Sequence, residues 1–547
     1  MKKLKVLVTT FCLACSAIVL TSCTGIHLDG TPNLEDTVYG NGGTSVTKGD
    51  YVYYVNSYVS YSNVGKGDNN NGEVETGAIY RTKLDSNGNV VYDSNGEIEN
   101  YDIVVSKVAG YEFTNLYIFD DYIYYATPNM DYAKDGTLNT SAVDFCRTTL
   151  DGSSSDVIYT ANDYDDSSSY SVNKIGSSVY LVVFEKDKLV RVEINKNRIK
   201  GSETLVENVT SVLMPEIQTY TYSENNPTVG NQGYVYYTRS FSKEQDKAYD
   251  TDFLSGNVLG QIGIADKKIN ERKSATDKYE LKALTTDYLF VTKDVDIYAI
   301  DKTFPLSENS KEAPDVRLSY STDSLNISNF YALKNDSGYI CCKNGETVYH
   351  SKVKGGKVYT IADSELTIVA DDGEFAYYLD STSIYRVRLI PEYTNNNQFE
   401  LLSTNAVLGG KTYAKGDKIP VSTVISEEEY NNLTSAVDKK QFALNKNKEL
   451  ILSDENIDSN YIDYSNITNK EIYFFSKYTG DNDESSQVYL KRVVVKAENK
   501  ITTTDEDTKE VVEPTTWDDY NKGYNAELMC KLNDEHKATT TSEEESD

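Results

Sequence analysis

The chain has 547 residues, with 54 lysines and arginines against 85 aspartates and glutamates, for a formal charge of −31. A surface this acidic repels phosphate backbones and anionic head groups, which excludes nucleic acid as a partner. Its 46 tyrosines and 15 phenylalanines exclude a wholly disordered acidic chain.

The first elements in chain order concern export. Met1-Lys2-Lys3-Leu4-Lys5 is charged, and an apolar run follows from Val6 to Leu20. A run of about fifteen residues is short for a spanning helix, which needs about twenty, and it suits the centre of an export signal. It ends in Leu20-Thr21-Ser22-Cys23. An aliphatic residue, two small residues and a cysteine resemble the lipobox of bacterial lipoproteins. The resemblance implies a signal peptide over 1–22, thioether lipidation of Cys23 and acylation of the new amino terminus with palmitate-type chains. Small residues let the chain lie extended in a peptidase site, and the thiolate is the good nucleophile nearby. Several acyl chains anchor stably where one would be marginal. The expected location is the outer side of the cell membrane, with the bilayer as a partner. Residues 23–45 are polar and Gly-rich without periodicity, and they read as a flexible tether.

From residue 46 to 498 one pattern recurs eight times: a turn, an alternating apolar and aromatic strand, a loop of variable length, a second strand and a polar turn. The paired segments are 49–55 with 78–85, 120–126 with 143–152, 178–183 with 189–194, and 233–238 with 260–266. They continue as 287–291 with 295–301, 338–342 with 347–353, 373–379 with 383–389, and 471–475 with 487–493. The mean spacing is roughly sixty residues, near the range of propellers and arrays. Units this short are too small to be separate β-sandwiches. A lone sheet of that size cannot bury its face, whereas sheets stacked radially bury both. The pattern predicts an all-β fold, a β-propeller of seven or eight four-stranded blades. Asp121-Tyr122-Ile123-Tyr124-Tyr125, followed by Phe145-Cys146-Arg147-Thr148-Thr149-Leu150-Asp151-Gly152, resembles the YWTD-like blades of propellers of the low-density-lipoprotein-receptor type. Such domains occur in many bacterial surface proteins, and the resemblance implies blades, not chemistry.

Residues 395–460 break the pattern. Ser426 with Glu429 has capping-box spacing, and the acids of 427–429 fall in a first turn, which predicts a short helix over 426–438 within an insertion. Residues 499–547 are rich in acids, threonine and serine and read as a disordered acidic tail. The single tryptophan, Trp517, lies there and reads as docking onto the domain.

Chemistry is sparse. His27, His350 and His536 are too scattered to converge, which argues against a histidine base or a multi-histidine metal site. Cys12 and Cys15 belong to the leader. Cys146, Cys341, Cys342 and Cys530 have no CxxC or metal spacing and read as small buried hydrophobes; Cys341 and Cys342, adjacent in a strand, should face opposite ways. Asp85-Ser86-Asn87-Gly88-Asn89 and Asp93-Ser94-Asn95-Gly96-Glu97 carry oxygen ligands, but neither has the glycine and glutamate offsets of a calcium loop, so both read as turns. The loop tips 67–72 and 480–484 read likewise. No cofactor, metal site or catalytic set is expected. The functional reading is a membrane-anchored binding or scaffold module with a protein or glycan ligand. The alternative is a glycan-acting hydrolase with carboxylates in the propeller channel, although no acid pair stands out in sequence.

Overall fold

The structure is a computed structural model and describes residues 28–58, 70–71, 74–75, 77–110, 115–129, 142–196, 198–215, 219–220, 233–242, 255–293, 296–302, 306, 315–318, 329–344, 347–355, 358–362, 366–390, 398–420, 423, 425–445, 448–478, 487–502 and 522–530. The signal peptide, Cys23, His27, Trp517, His536, the 480–484 tip and most of the 67–72 tip lie outside the described residues.

The fold is all-β and of the propeller class, with eight four-stranded blades, so the expectation of seven or eight resolves to eight. Each expected strand pair forms the two middle strands of a blade, in antiparallel register: Tyr51–Val55 with Ile79–Lys83 in blade 1, and Glu471–Tyr478 with Gln487–Val494 in blade 8. The outer strands are shorter and more polar. In blade 5 the fourth strand is only Val316–Arg317. Two blades carry additional strands. Val38–Tyr39 pairs with Ser45–Lys48 in blade 1, and Thr219–Tyr220 runs parallel to Lys174–Ile175 in blade 3.

The chain divides into two compact units. One holds blades 1 and 2. They share a core in which Tyr53 and Ile79 of blade 1 meet Ile118 and Tyr125 of blade 2. The other holds blades 3 to 8, and here each blade shares a core with the next. Val182 and Phe184 meet Val235 and Tyr237; Tyr236 and Leu259 meet Leu289 and Val291; Phe290 meets Ile340 and Cys342. Cys341 and Val348 then meet Ala376 and Tyr378, and Tyr377 meets Ile472 and Phe474. The tyrosine doublets gain their meaning from this. Adjacent strand residues point to opposite faces, so Tyr236 serves one neighbouring blade and Tyr237 the other. Cys341 and Cys342 divide in the same way, as their adjacency predicts. Burying each aromatic contributes roughly 1.5–3 kcal/mol.

Three boundaries differ from the sequence reading. The described part of the tether is docked, not free. Arg81 donates to the carbonyls of Asp29 and Gly30, Lys48 Nζ donates to those of Leu34 and Asp36, and the Leu28 amide donates to the Asp151 carbonyl. A polar, Gly-rich segment offers backbone oxygens, and blade 1 offers buried cations that need them. The acidic tail contains the last strand of blade 8: Ala526–Leu528 pairs with Lys491–Val493. Beyond it, Met529 and Cys530 are fully buried. The insertion is narrower than 395–460, because Lys448–Ser453 is the fourth strand of blade 7.

Candidate functional site

Among the described residues, one polar arrangement recurs from blade to blade. In five blades the third strand places an arginine opposite the second strand on one side and an acid of the fourth strand on the other. The rows are Tyr53–Arg81–Asp102, Tyr124–Arg147–Asp156, Val182–Arg191–Glu203, Tyr377–Arg386–Glu449 and Tyr473–Arg492–Glu527. Nitrogen–oxygen distances run from 2.9 to 3.1 Å. Four of the guanidinium groups also lie over a strand-two ring: Arg81 over Tyr51, Arg147 over Tyr122, Arg191 over Tyr180 and Arg386 over Phe375, at 3.9–5.2 Å. Stacking and ion pairing together hold each outer strand to its blade. The sequence signal was present, since every one of these arginines lies in the later strand of an expected pair. What the arginine does depends on the register of a fourth strand that sequence did not reveal.

Blade 4 reaches the same end by another route. Its third strand has Gly260 between Tyr237 and Glu271. The Tyr237 ring lies over that glycine, where an added Cβ would sit 2.1 Å from the ring. Arg239 of strand two reaches Glu271 at 2.9 Å, and the Tyr237 hydroxyl donates to the same carboxylate at 2.7 Å.

Blade 6 departs from the pattern. The equivalent row is Cys341–His350–Tyr359, with no carboxylate in it. This is the one place where the described residues set a cysteine beside a histidine, and the pair is unsuited to nucleophilic work. Burial pushes the Cys341 thiol well above its ordinary range, and burial pushes His350 down to about 4. A nucleophilic cysteine needs the opposite shift. Burial likewise raises the Cys146, Cys342 and Cys530 thiols to about 12. All four behave as the small hydrophobes that their spacing predicts.

The oxygen-rich segments of blade 1 are turns. Asp85 Oδ1 accepts the amides of Asn87 and Asn89, and Asp93 Oδ1 those of Asn95 and Glu97. These amides hold both carboxyls below the usual range. Among the described residues no group of three metal-binding side chains converges. The buried carboxylates are structural. Asp371 accepts from the Lys334 and Asn335 amides and the Tyr331 hydroxyl, tying blade 6 to blade 7. Asp372 accepts from Tyr377 and Lys470, and Glu471 from Tyr473 and Arg492.

The best candidate for recognition is the insertion of blade 7. It folds as a small body with its own core of Phe399, Leu401, Leu408, Ile419, Tyr430 and Phe442. Two short hairpin pairings, Gln398–Glu400 with Lys418–Pro420 and Ala406–Leu408 with Lys411–Tyr413, precede two helices. The expected helix over 426–438 is in fact α1 (Glu427–Asn431) and α2 (Ala436–Asn445). The capping box of Ser426 and Glu429 is present as predicted, and Glu429 reaches further to the amides of Gly409 and Gly410. The helix breaks because a second serine restarts it: Ser435 Oγ accepts the Asp438 amide, and Ser403 Oγ accepts the amides of Thr434 and Ser435. Asp438, fully buried, accepts the amides of Leu402 and Ser403 and fastens α2 to the hairpins. This body leaves three aliphatic side chains in solvent: Leu402 at 42 %, Val407 at 52 % and Val437 at 58 % exposure.

No family model matches the chain, and no curated protein matches it. Solved structures with a similar course of the chain include a prolyl endopeptidase, at 10% identity and a TM-score of 0.36, with 86% of this chain and 57% of that one covered. The β-propeller domain of the Trilobed protease from Pyrococcus furiosus is similar at 11% identity and a TM-score of 0.32, with 64% and 96% covered. An oligogalacturonate lyase in complex with manganese is similar at 10% identity and a TM-score of 0.28, with 57% and 80% covered. The chain thus spans 57% of the length of the prolyl endopeptidase. Likenesses at this level carry no activity across.

Proposed function

We propose that this chain is a lipid-anchored protein on the outer face of the cell membrane that presents its propeller as a binding or scaffold module for a protein or glycan. The observation that carries the reading is the insertion of blade 7, an independently cored body with exposed aliphatic side chains on a repetitive frame. Rigid scaffolds carry recognition on such variable insertions. The lipobox residues 20–23 support the anchoring half. A binding module also suits the described buried acids, since Asp371, Asp372, Asp438 and Glu471 are all engaged in holding the fold. Two experiments test the two halves. Cys23→Ala should release the protein or leave an unprocessed precursor, and mature protein retained in the membrane fraction would refute the anchor. Replacing 398–445 by a short Gly-Ser linker should abolish surface cross-links to a partner while the propeller stays folded. Unchanged cross-links would move recognition elsewhere.

A further inference from the structure

His350 stands at the position that an arginine holds in five of the eight blades. Arginine at this register carries a permanent charge and has its acid across the strand. His350 is 1 % exposed, and neither ring nitrogen meets a partner at full hydrogen-bond geometry; the Leu389 backbone of blade 7 favours its charged form, but burial outweighs it. Its ring is stacked between Tyr339, at 4.8 Å, and Tyr359, at 5.9 Å, both near-parallel. The second strand faces it with Tyr339 and Cys341, and Tyr331 of the first strand continues that row. The fourth strand presents Tyr359. Its own strand carries Lys352, whose ammonium lies over the far ring, Tyr339, at 5.6 Å. Blade 7 packs on the same face with Tyr378, Tyr385 and Leu389. Among the described residues, the acids that interact with these neighbours are engaged elsewhere. Asp336 interacts with Lys352, and Asp371 holds Tyr331 and two backbone amides. A neutral imidazole is at home in this aromatic slot. A cation there meets a lysine and no free carboxylate, and a buried unpaired charge is expensive to keep.

We propose that blade 6 carries an acid-sensitive latch: protonation of His350 releases the outer strand Val358–Ala362, while the blades latched by arginine keep theirs. Strand four is the part that gives way because Tyr359 supplies one wall of the slot, and its departure brings the imidazolium into water. Val358–Ala362 lies at the end of its sheet and pairs with Thr347–Lys352 along one edge, so its departure leaves the other three strands paired.

Hydrogen exchange on the full chain tests this directly. Between pH 7 and about pH 4.5, after correction for intrinsic rates, exchange over 358–362 should accelerate about tenfold or more, with less than about twofold change over 448–453 of blade 7. His350→Phe, which preserves the stack and cannot take up a proton, should abolish the difference. Equal acceleration in both blades, or acceleration that survives in His350→Phe, would overturn the proposal. A second measurement stands should that variant fail to fold. With the histidine rings isotopically labelled, the His350 resonance should titrate well below the ordinary range of about 6.5, near the pH at which the acceleration of exchange levels off. Titration at the ordinary value would equally overturn it.

Discussion

Blades 6 and 7 are neighbours, share a core and are built to one plan, yet they fasten their outer strands by different means. In blade 7 Arg386 lies over Phe375 and bonds Glu449, and Glu449 also accepts from the Tyr524 hydroxyl. In blade 6 the same position holds His350 between two tyrosine rings. The first fastening relies on charge that persists at every ordinary pH. The second relies on the absence of charge. The comparison teaches that a repeat can keep its backbone geometry while exchanging the physics that holds it, and that the fastening of blade 6, unlike the arginine fastening of blade 7, depends on a neutral imidazole.

The largest test removes a charge from the most buried version of the blade 7 fastening. In blade 8 Arg492 is 1 % exposed and bonds both Glu471 and Glu527. Arg492→Ala leaves two acids facing each other without their cation and should destabilise by about 3–5 kcal/mol in chemical denaturation. A loss under about 1 kcal/mol would mean that packing alone holds the outer strands.

Next comes the pH dependence of the blade 6 fastening. The folded-state pKa of His350 is depressed to about 4 from its ordinary 6.5. The unfolded chain therefore binds the extra proton across that interval, and stability falls as pH falls from about 6.5 to about 4, then levels off. At the acid end the loss amounts to at most about 3.4 kcal/mol. Comparing the pH slopes of wild type and His350→Phe should isolate it, and parallel slopes would erase the distinction between the two blades.

Blade 4 sharpens the comparison from a third side, because its arginine sits on strand two. Gly260→Ala should destabilise by about 1–3 kcal/mol, since the new methyl collides with the Tyr237 ring and displaces it from Glu271. Thermal unfolding of the variant reports this, and a neutral result would show that the ring is not fixed there. The smallest effect is expected in the insertion. Ser426→Ala removes the N-cap of α1 and should lower stability by about 1 kcal/mol, without altering hydrogen exchange in the blade 6 and blade 7 sheets. Altered exchange there would couple the insertion to the latch.

The inner strands of all eight blades were legible because an aromatic strand with a two-residue period must bury both faces, as at Tyr122–Pro128 and Phe375–Asp380. The outer strands were not. Val316–Arg317 and Ala526–Leu528 are too short and too polar to signal themselves, and they become strands because a neighbour offers them an edge. The same reason explains the segment from Leu28 to Gly43. Its composition says polar and glycine-rich, but its docking is decided by Arg81 and Lys48, which follow later in the chain. The capping box at Ser426 was readable because both partners lie within one turn.

By itself, then, the sequence determined the blade repeat, the burial of its cysteines and the opposed faces of Cys341 and Cys342, all of which follow from local alternation. It also set the arginines and His350 at their positions without disclosing their roles. Tertiary structure alone decided those roles, because an ion pair, an aromatic slot or an empty acid position exists only once strand register brings distant residues opposite one another.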